Sequence, residues 1–508
     1  MQLEHIWKKD RKNDILGVDV STFYIICDVP HVTSIRHKMP YYQHLSLSLY
    51  IRVSDQASRG VTASAAPSHN NLAFYIINQR KGGKFMINVK NFGAKGNGVA
   101  DDTAAIQQAL NQAAKTKDTV YFPKGVYLVN PAKTLSVGGN TTLKGDGSTS
   151  IIRAASNSFG WELMRVSGSN ILLTDLVIDG NLRVNRVLTI AGGSKKVTVQ
   201  GLLVKGATHS TDRRSEYYTG VVSGIVVLGN TESITIQGTE IADVLALNAG
   251  GAGLVARGIY VTTTWGSKER AARQVSITGC FIHRIGPADD GDGIYYEDPA
   301  MDENRATGVA SLIADNRFDE CAKRAVKVYA KGVTVRGNTI NNPYLNNNYY
   351  KGTNKSSLAP DMYSAISIYG GDSVVEGNKI SGKGSFYAAI EVGAGDFVEN
   401  VSILGNSVTM GSQSDIKGTT SIRLGNIRDF VIRGNELNNG ERGIWTWQDA
   451  DKGKIENNII RMPKGSGIDL TTYLKGYTQK NITCTGNKIT AATAVRTSSS
   501  TNKNVVVR

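Results

Sequence analysis

The chain has 508 residues, with 55 glycines, 10 prolines and a formal net charge of +15. Many glycines and few prolines are typical of many short strands joined by tight turns, and a single solenoid can reach this length. The positive charge favours an anionic partner, but no run of Lys and Arg with interleaved aromatics stands out, and no apolar stretch is long enough to span a bilayer. The composition therefore predicts neither a nucleic-acid partner nor a membrane protein, and an acidic polysaccharide remains a candidate.

The four cysteines are far apart in the sequence and form no CxxC pair. They stand at Cys27, Cys280, Cys321 and Cys484. This spacing argues against a zinc site and against a disulfide framework. We expect buried, reduced thiols.

The first 85 residues differ in composition from the rest of the chain. The apolar runs Phe23 to Cys27, Leu45 to Ile51 and Leu72 to Ile77 suit strands, and the N-terminus lacks the apolar core of a signal peptide. Five of the seven histidines lie in this segment, at His5, His31, His37, His44 and His69.

Two interpretations of residues 1–85 stay open. The segment is either a small domain that anchors the protein to a larger particle or an extension that is not native. The second interpretation rests on residues 80–85, RKGGKF, whose purine-rich codons could spell a ribosome-binding site just before Met86. In both cases we expect residues 86–508 to fold without the first 85.

Residues 86–129 follow a pattern of strand, glycine turn, helix and strand. Three glycines break the first apolar run where the backbone needs freedom that a Cβ would deny: Gly93, Gly96 and Gly98. Either Asp101 or Asp102 can cap the helix that follows, and the strand Thr119 to Phe122 comes after it. The apolar face of the helix repeats at three, four and seven residues, as Ile106, Ala109, Leu110 and Ala113.

This stretch resembles the opening of the pectate lyase-like superfamily, the right-handed parallel β-helix proteins that include many phage tailspikes. Residues 141–148, TTLKGDGS, continue the resemblance. The resemblance implies an all-β fold, a right-handed parallel β-helix (solenoid) over residues 86–508, with an N-terminal capping α-helix over its first open end. It also implies a homotrimer, which parallel β-helices of this family commonly form. By itself it indicates a fold and not a reaction.

Turns that contain asparagine recur through the second half of the chain, each after a short alternating strand. A loose period with variable insertions is typical of a solenoid whose loops differ in length. Because Asn tolerates left-handed backbone and its amide can bond to the next coil, we predict a structural asparagine ladder. Its predicted members are Asn316, Asn338, Asn378, Asn406, Asn435, Asn457 and Asn487.

A second pattern of five residues recurs between Ser223 and Leu470, with an aliphatic residue at its third position. Side chains alternate along a strand, so the third position faces the core and the fourth faces outward. Stacked coils lie about 4.8 Å apart, and the fourth positions therefore form one exposed column. In order, the predicted column is Val226, Tyr260, Tyr295, Lys327, Ser367, Glu391, Arg423, Trp445 and Asp469.

A neighbouring column is predicted two positions further along each strand. It contains Leu228, Thr263 (or Thr262 if the register slips), Glu297, Tyr329, Tyr369, Gly393, Gly425, Trp447 and Thr471. Clustered aromatics exposed on a rigid sheet offer flat faces to sugar rings, although loops or a neighbouring subunit could instead cover them. The predicted substrate-binding residues are Tyr260, Tyr295, Arg324, Tyr329, Tyr369, Glu391, Arg423, Trp445, Trp447 and Asp469.

The densest carboxylate group is the segment 289–298, DDGDGIYYED, which lies one coil from Lys327. Hydrolysis of a glycosidic bond needs two carboxyls about 5 to 9.5 Å apart, and residues within this segment, paired across strand and loop, can meet that spacing. Glu391, roughly 14 Å away, is too far to pair with Glu297. The predicted catalytic residues are Asp290, Asp292, Glu297 and Lys327.

Two alternatives to hydrolysis by this segment stay open. Asp-Gly-rich segments also form turns and calcium loops, so calcium can bind here although the predicted chemistry requires no cofactor and no metal ligands are assigned. The other alternative is β-elimination on a uronic-acid polymer, which needs a base for the C5 proton and a cation for the carboxylate. Lys327 and Arg324, with Tyr295 or Tyr329 beside them, would suit that reaction.

The sequence therefore predicts a protein that binds and cleaves a bacterial surface polysaccharide, similar to phage tailspike depolymerases, as a hydrolase or a lyase. Its predicted location is the virion, at a phage tail or baseplate, or the medium after lysis. A non-catalytic glycan-binding fibre is the alternative, since it would keep the aromatics without needing the carboxylates. A secreted plant-polymer lyase is disfavoured by the missing signal peptide.

Overall fold

The computed structural model describes residues 85–508 except 219, 248–254, 287–289, 346–360, 396 and 412–417. Before residue 85 it describes two strands, β1 (Tyr24–Cys27) and β2 (Ser48–Ile51), which pair in parallel. Internal contacts divide the chain into Met1–Gly83 and Lys84–Arg508. The predicted strand Leu72 to Ile77 and the five N-terminal histidines lie outside the described residues, and the nature of residues 1–85 stays a prediction.

The second unit begins with the predicted strand, glycine turn, helix and strand. These elements are β3 (Met86–Asn88), a 3-10 helix (Val89–Phe92), β4 (Asn97–Asp101), α1 (Thr103–Thr116) and β5 (Thr119–Phe122). The predicted apolar face of α1 is buried. Asp101 Oδ1 accepts the Thr103 amide at 2.9 Å, whereas Asp102 accepts the amides of Lys95 and Gly96. The two aspartates therefore fix the helix start and the glycine turn respectively.

After this cap the chain winds through three parallel faces, and each coil contributes one strand to each face. Sheet 1 contains β3, β5, β8 (Thr142–Gly145), β11 (Ser169–Thr174), β13 (Lys195–Gln200), β16 (Glu232–Gln237), β19 (Arg273–Thr278), β22 (Ser311–Ala314), β25 (Val333–Arg336), β28 (Ser373–Glu376), β31 (Val398–Leu404), β34 (Ile427–Arg433), β37 (Ala450–Glu456), β39 (Gln479–Thr485) and β41 (Asn502–Val507).

Sheet 2 shares with sheet 3 the long strands β12 (Val177–Ile190), β38 (Ile459–Asp469) and β40 (Lys488–Arg496), whose first halves lie in sheet 2. Its other strands are β4, β6 (Gly125–Val129), β9 (Ser150–Ala154), β14 (Leu203–Thr208), β17 (Glu240–Leu245), β20 (Phe281–Gly286), β23 (Arg317–Cys321), β26 (Thr339–Asn342), β29 (Lys379–Gly382), β32 (Ser407–Thr409) and β35 (Glu436–Asn438).

Sheet 3 contains the second halves of β12, β38 and β40 and the recurring five-residue pattern. Its remaining strands are β7 (Leu135–Val137), β10 (Gly160–Val166), β15 (Val221–Val227), β18 (Val255–Val261), β21 (Asp290–Glu297), β24 (Arg324–Tyr329), β27 (Met362–Ile368), β30 (Phe386–Val392), β33 (Thr420–Leu424) and β36 (Arg442–Thr446). The stack of parallel strands confirms the predicted right-handed parallel β-helix with an N-terminal α-helix. Short 3-10 helices lie at Gly147–Thr149, Glu216–Tyr218 and Pro299–Met301.

The core runs along the axis of the coils. Every predicted third position of the sheet 3 pattern is fully buried: Ile225, Ile259, Ile294, Val326, Ile366, Ile390, Ile422, Ile444 and Ile468. The small residue before each of them also points inward, because the chain bends there between sheets 2 and 3. A Cβ on Gly258 would lie 2.5 Å from the Gly293 carbonyl oxygen of the next coil, which explains why this coil has glycine at that position.

The asparagine ladder is present and is buried from Asn316 to Asn458. Asn338 Oδ1, for example, accepts both the backbone amide and the side-chain amide of Asn316 at 3.0 Å, and the same pattern continues to Asn487. One predicted member is wrong, since the ladder residue is Asn458 and not Asn457. Asn457 has a φ of +56° and occupies the left-handed turn position that Gly434 fills in the preceding coil. The ladder residue is the one that follows the left-handed residue.

Cys280, Cys321 and Cys484 are buried and form no disulfide. Burial raises the pKa of the Cys280 thiol to about 11, so this thiol stays protonated at neutral pH. Cys27 has no described side chain. No helix within the described residues is long and apolar enough to cross a membrane.

Candidate functional site

The predicted column on sheet 3 is in register from coil to coil. Tyr260 pairs with Tyr295, Tyr295 with Lys327, and the pairing continues through Ser367, Glu391, Arg423, Trp445 and Asp469. In the neighbouring column Thr262, and not Thr263, is the residue beside Glu297, because its Oγ1 donates to Glu297 Oε2 at 2.7 Å. Strand alternation therefore predicted the register of the first column correctly, and in the neighbouring column it erred by one residue at Thr263.

The prediction that this column is exposed is wrong for most of its members. Tyr295, Tyr369 and Trp445 are buried, as are Arg324, Ser367, Glu391, Arg423 and Asp469. Their side chains leave the core but pack against one another, so that each coil covers part of the next. Tyr260, Lys327, Tyr329 and Trp447 are half-buried and keep part of their surface in solvent.

The Glu297 cluster occupies the end of β21 and contains Tyr260, Thr262, Tyr295 and Glu297. Glu297 accepts hydrogen bonds from Tyr260 Oη at 2.5 Å, Thr262 Oγ1 at 2.7 Å and Tyr295 Oη at 3.1 Å. The two tyrosine rings stack with 5.6 Å between their centroids. Three hydroxyl donors thus hold one carboxylate that is itself half-buried.

Two cations lie against the aromatic rings of the Glu297 cluster. The Arg257 guanidinium carbon lies 4.1 Å from the centroid of the Tyr260 ring and 4.3 Å from that of Tyr295. The Lys327 Nζ lies 4.2 Å from the centroid of the Tyr295 ring. The cluster therefore brings together a carboxylate, two phenols and two cations within neighbouring coils.

Both phenols of the cluster hold their protons firmly. Burial, with Glu297 beside the ring, raises the pKa of Tyr295. Burial also raises the pKa of Tyr260, although the neighbouring Arg257 opposes the shift. At neutral pH both hydroxyls are therefore protonated and act as donors.

Asp292 does not form a catalytic pair with Glu297. The two residues are five positions apart on β21, which corresponds to about 16 Å along a strand, beyond the carboxyl separation of either class of glycosidase. Asp292 is fully buried, and its Oδ1 accepts from Arg324 at 3.3 Å. The side chain of Asp290, the third predicted carboxylate, lies outside the described residues.

The Glu391 cluster lies three coils beyond Glu297 and contains Tyr363, Ser367, Tyr369, Glu391 and Arg423. Glu391 is 0% exposed and accepts from Tyr363 Oη at 2.9 Å and Tyr369 Oη at 2.7 Å. Arg423 completes the site with an ion pair at 3.1 Å. This carboxylate is neutralised by a buried cation and has no surface in solvent.

Arg324 connects the buried Asp292 to the Glu391 cluster. Its Nε donates to Ser367 Oγ at 3.3 Å, and Ser367 in turn donates to Glu391 at 3.4 Å. Its guanidinium carbon lies 4.6 Å from the centroid of the Tyr363 ring. Arg324, predicted to bind substrate, is therefore part of a buried polar chain.

An aromatic platform follows at the next coils and consists of Trp445, Trp447 and Tyr473. Their rings lie 6.0 to 6.4 Å apart, and Arg423 stacks on Trp447 at 4.1 Å. Tyr473 is 71% exposed, whereas Trp445 is buried and donates from Nε1 to the Thr471 carbonyl at 2.9 Å. Asp469 lies beneath the platform and pairs with Arg442 at 3.2 Å.

The remaining predicted site residue, Tyr329, lies beside Glu297 in the neighbouring column. Its hydroxyl donates to Asp302 Oδ1 at 2.6 Å. Several residues on this face were missed at the sequence level, although Arg257 and Arg442 occupy the first position of the same pattern and could have been found there. Tyr363, Tyr387 and Tyr473 lie outside the pattern and gave no comparable signal.

No group of three or more His, Cys, Asp or Glu side chains in the described part of the chain is arranged to hold a metal ion. Asp289 and the side chain of Asp290 are outside that part. Calcium binding by the acidic segment therefore stays a prediction.

Comparison with known proteins supports the fold and the first part of the resemblance. Residues 86–201 match the family model described as rhamnogalacturonase A/epimerase, pectate lyase-like, which confirms the resemblance of this stretch. Tailspike protein 3 of bacteriophage CBA120 has a TM-score of 0.53 and 13% sequence identity, over 83% of this chain and 61% of that chain. At this identity the likeness shows the fold.

Curated relatives match over shorter stretches. The chain is 29% identical over 133 residues to the preneck appendage protein of Bacillus phage PZA, which covers 25% of this chain and 15% of that protein. It is 38% identical over 111 residues to mannuronan C5-epimerase AlgE5 of Azotobacter vinelandii, which covers 18% of this chain and 11% of that protein. The matched stretches thus span a small part of each relative.

Proposed function

We propose that this protein binds an acidic polysaccharide of a bacterial surface along sheet 3 and cleaves it by β-elimination at the Glu297 cluster. The observation that carries the proposal is the arrangement around Glu297. A half-buried carboxylate is held by two protonated phenols, and Lys327 lies on the ring of one of them. A base, an acid and a cation are the groups that elimination from a uronate requires.

Each group has a defined part in the proposed reaction. Glu297 removes the proton from C5 of the uronate, and Lys327 stabilises the negative charge that develops on the C5 carboxylate. The C4–O4 bond breaks as the C4=C5 double bond forms, and the phenol of Tyr260 or Tyr295 gives its proton to O4. The proton on Glu297 then returns to the phenolate across the existing hydrogen bond, which is 2.5 Å long for Tyr260.

Two further observations favour an acidic chain as substrate. The net charge of +15 raises the local concentration of a polyanion near the surface. The epimerase relative is named for chemistry at C5 of mannuronan, a uronic-acid polymer, which supports a uronate as the reacting sugar. The aromatic platform of Trp447 and Tyr473 offers partly exposed rings for a more distant part of the same chain.

The preneck appendage relative and the tailspike fold favour a place on a phage particle, with residues 1–85 as its attachment if they are native. A homotrimer stays a prediction. In such an assembly the polysaccharide would be bound at the particle surface, where cleavage clears a path to the cell.

The proposal is tested by incubating the full chain with acidic and neutral bacterial polysaccharides. Elimination produces both new reducing ends and the ultraviolet absorbance of an unsaturated uronate, whereas hydrolysis produces reducing ends alone. Lys327→Ala should abolish the absorbance signal, and Lys379→Ala, at an exposed position on sheet 2, should leave it unchanged. New reducing ends without the absorbance would show hydrolysis instead of elimination. If no substrate gained new reducing ends, the protein would be a non-catalytic binding fibre.

A further inference from the structure

A cavity of about 490 Å³ lies beside the Glu297 cluster, between the loop 263–273 and the loop 298–309. The cavity begins where the strands of sheet 3 end. Thr263 and Asp298 line it, and they directly follow Thr262 and Glu297, which form a hydrogen bond. Its volume is within the range of small-molecule sites, about 300 to 1,000 Å³. A chain bound at Glu297 would therefore reach this cavity with its next unit.

The carboxylates that line the cavity have partners in the protein. Glu269 accepts the Thr264 amide at 2.7 Å, Glu303 pairs with Arg305 at 2.7 Å, and Asp298 accepts the Ala300 amide at 3.0 Å. These contacts hold the two loops in shape. The ion pair with Arg305 also neutralises the charge of Glu303.

Four cations line the cavity, and three of them differ from Arg305, which pairs with Glu303. Lys268, Arg270 and Arg273 line it with exposed side chains. Among the residues that the structure describes, none forms an ion pair with any of these three side chains. Three unpaired cations around one concave site attract an anion, and guanidinium groups match the planar geometry of a carboxylate.

We infer that this cavity binds a carboxylate-bearing sugar, the unit next to the one held at Glu297. The inference rests on the proposed function for its choice of ligand. It adds that the protein recognises at least two neighbouring sugars and that the second must be charged. The cavity then selects polymers with consecutive acidic units over polymers in which acidic units are isolated.

The test compares two triple variants of the full chain that lose the same charge. Lys268→Gln, Arg270→Gln and Arg273→Gln together remove the three lining cations that form no ion pair within the described residues, and Arg305 stays in place. Lys196→Gln, Lys454→Gln and Lys503→Gln remove three exposed lysines from sheet 1 and serve as the control. Binding is measured by calorimetry with polygalacturonate, with alginate, with fully methyl-esterified polygalacturonate and with inorganic phosphate.

The cavity variant should bind the acidic polymer about tenfold more weakly than the control variant, and added salt should reduce the difference. The methyl ester, which has the same shape without the charge, should bind both variants equally. Equal affinity of the two variants for every acidic polymer, no binding of any acidic polymer by the unaltered protein, or a difference seen with phosphate alone would overturn the inference. If the protein bound acidic polymers without cleaving them, the proposed elimination would be refuted, but the cavity would still be a site for a carboxylate-bearing sugar.

Discussion

The Glu297 and Glu391 clusters are built from similar parts and differ in what neutralises the carboxylate. Each has a glutamate, two tyrosine hydroxyl donors and a serine or threonine hydroxyl, three coils apart on the same face. Glu391 also has an arginine ion pair and no exposed surface. At Glu297 the nearby cations lie on the faces of the tyrosine rings.

Under the proposed elimination, this difference separates a structural carboxylate from the catalytic one. A buried carboxylate paired with arginine has its charge satisfied and cannot reach a substrate, so it serves to hold the coils together. Glu297 is half-buried and accepts its hydrogen bonds from neutral hydroxyls, so part of its surface stays within reach of a substrate. Of these two clusters, we therefore propose the Glu297 cluster as the one that transfers a proton.

Glu297→Gln should have the largest effect on activity. The amide keeps the shape of the side chain but cannot accept the C5 proton, so kcat should fall by about 100-fold or more. Binding of the acidic polymer and the thermal midpoint should stay close to those of the unaltered protein. Glu436→Gln, on the surface of sheet 2, is the matched control. Full turnover by the Glu297 variant would remove this carboxylate from the mechanism.

Glu391→Ala should act on stability instead. It leaves the Arg423 guanidinium buried without its partner, which costs about 3 to 5 kcal/mol of unfolding free energy. Glu399→Ala removes an exposed pair with Arg428 and should cost at most about 1 kcal/mol. Denaturant titration measures both. A Glu391 variant that is as stable as the Glu399 variant, yet inactive, would reverse the roles of the two clusters.

The next effect concerns the platform beyond Glu391. Trp447→Ala removes a partly exposed ring and the surface on which Arg423 stacks, and should weaken polymer binding by about tenfold with a smaller change in kcat. Phe85→Ala removes an exposed ring beside the first strand of sheet 1 and should not change binding. Equal binding by both variants would place the polymer elsewhere.

The smallest effect concerns the tyrosines at alkaline pH. Burial, followed by the charge of Glu391, raises the pKa of Tyr369 in the folded protein above its usual value near 10. The unfolded chain ionises first, so stability is fully present below pH 10 and is lost as the pH rises towards the folded pKa. At pH 10.5 one such tyrosine accounts for about 0.8 kcal/mol of that loss.

Tyr369→Phe should therefore lose less stability between pH 8 and pH 10.5 than the unaltered protein does. Thermal unfolding at the two pH values measures the change. A Tyr473→Phe variant is the control, because Tyr473 is largely exposed. The same alkaline loss in the Tyr369 variant and in the unaltered protein would show that this phenol ionises alike in the folded and unfolded states.

Much of the fold and the register of the site could be predicted from local rules. Strand alternation located the core column from Ile225 to Ile468 and the outward column from Tyr260 to Asp469, because both follow from a period of two. The ladder was predicted except for Asn458, where two adjacent asparagines share the turn and only the backbone conformation distinguishes them.

The accessibility of the site could not be predicted in the same way. Long side chains from neighbouring coils lie over one another, and their arrangement decides whether Tyr295 or Arg324 reaches solvent. No period in the sequence encodes that arrangement. The separation of Asp292 from Glu297 depends on where the chain bends and which part of the segment becomes strand. The composition of the segment 289–298 indicated a carboxylate site, but only the fold distinguishes the buried Asp292 from the half-buried Glu297.

The asparagine ladder has a consequence for how such a surface can change over time. Asn338 and Asn378 stay hydrogen-bonded although the connection between β26 and β27 is long, and Lys327 stays opposite Ser367 across the same insertion. The asparagine turn of each coil thus keeps that coil in register with the next, whatever the length of the loop before it. Loops at the coil junctions can therefore be replaced one at a time, and a lineage can change the loops around the proposed site while Glu297 and its neighbours on sheet 3 keep their spacing.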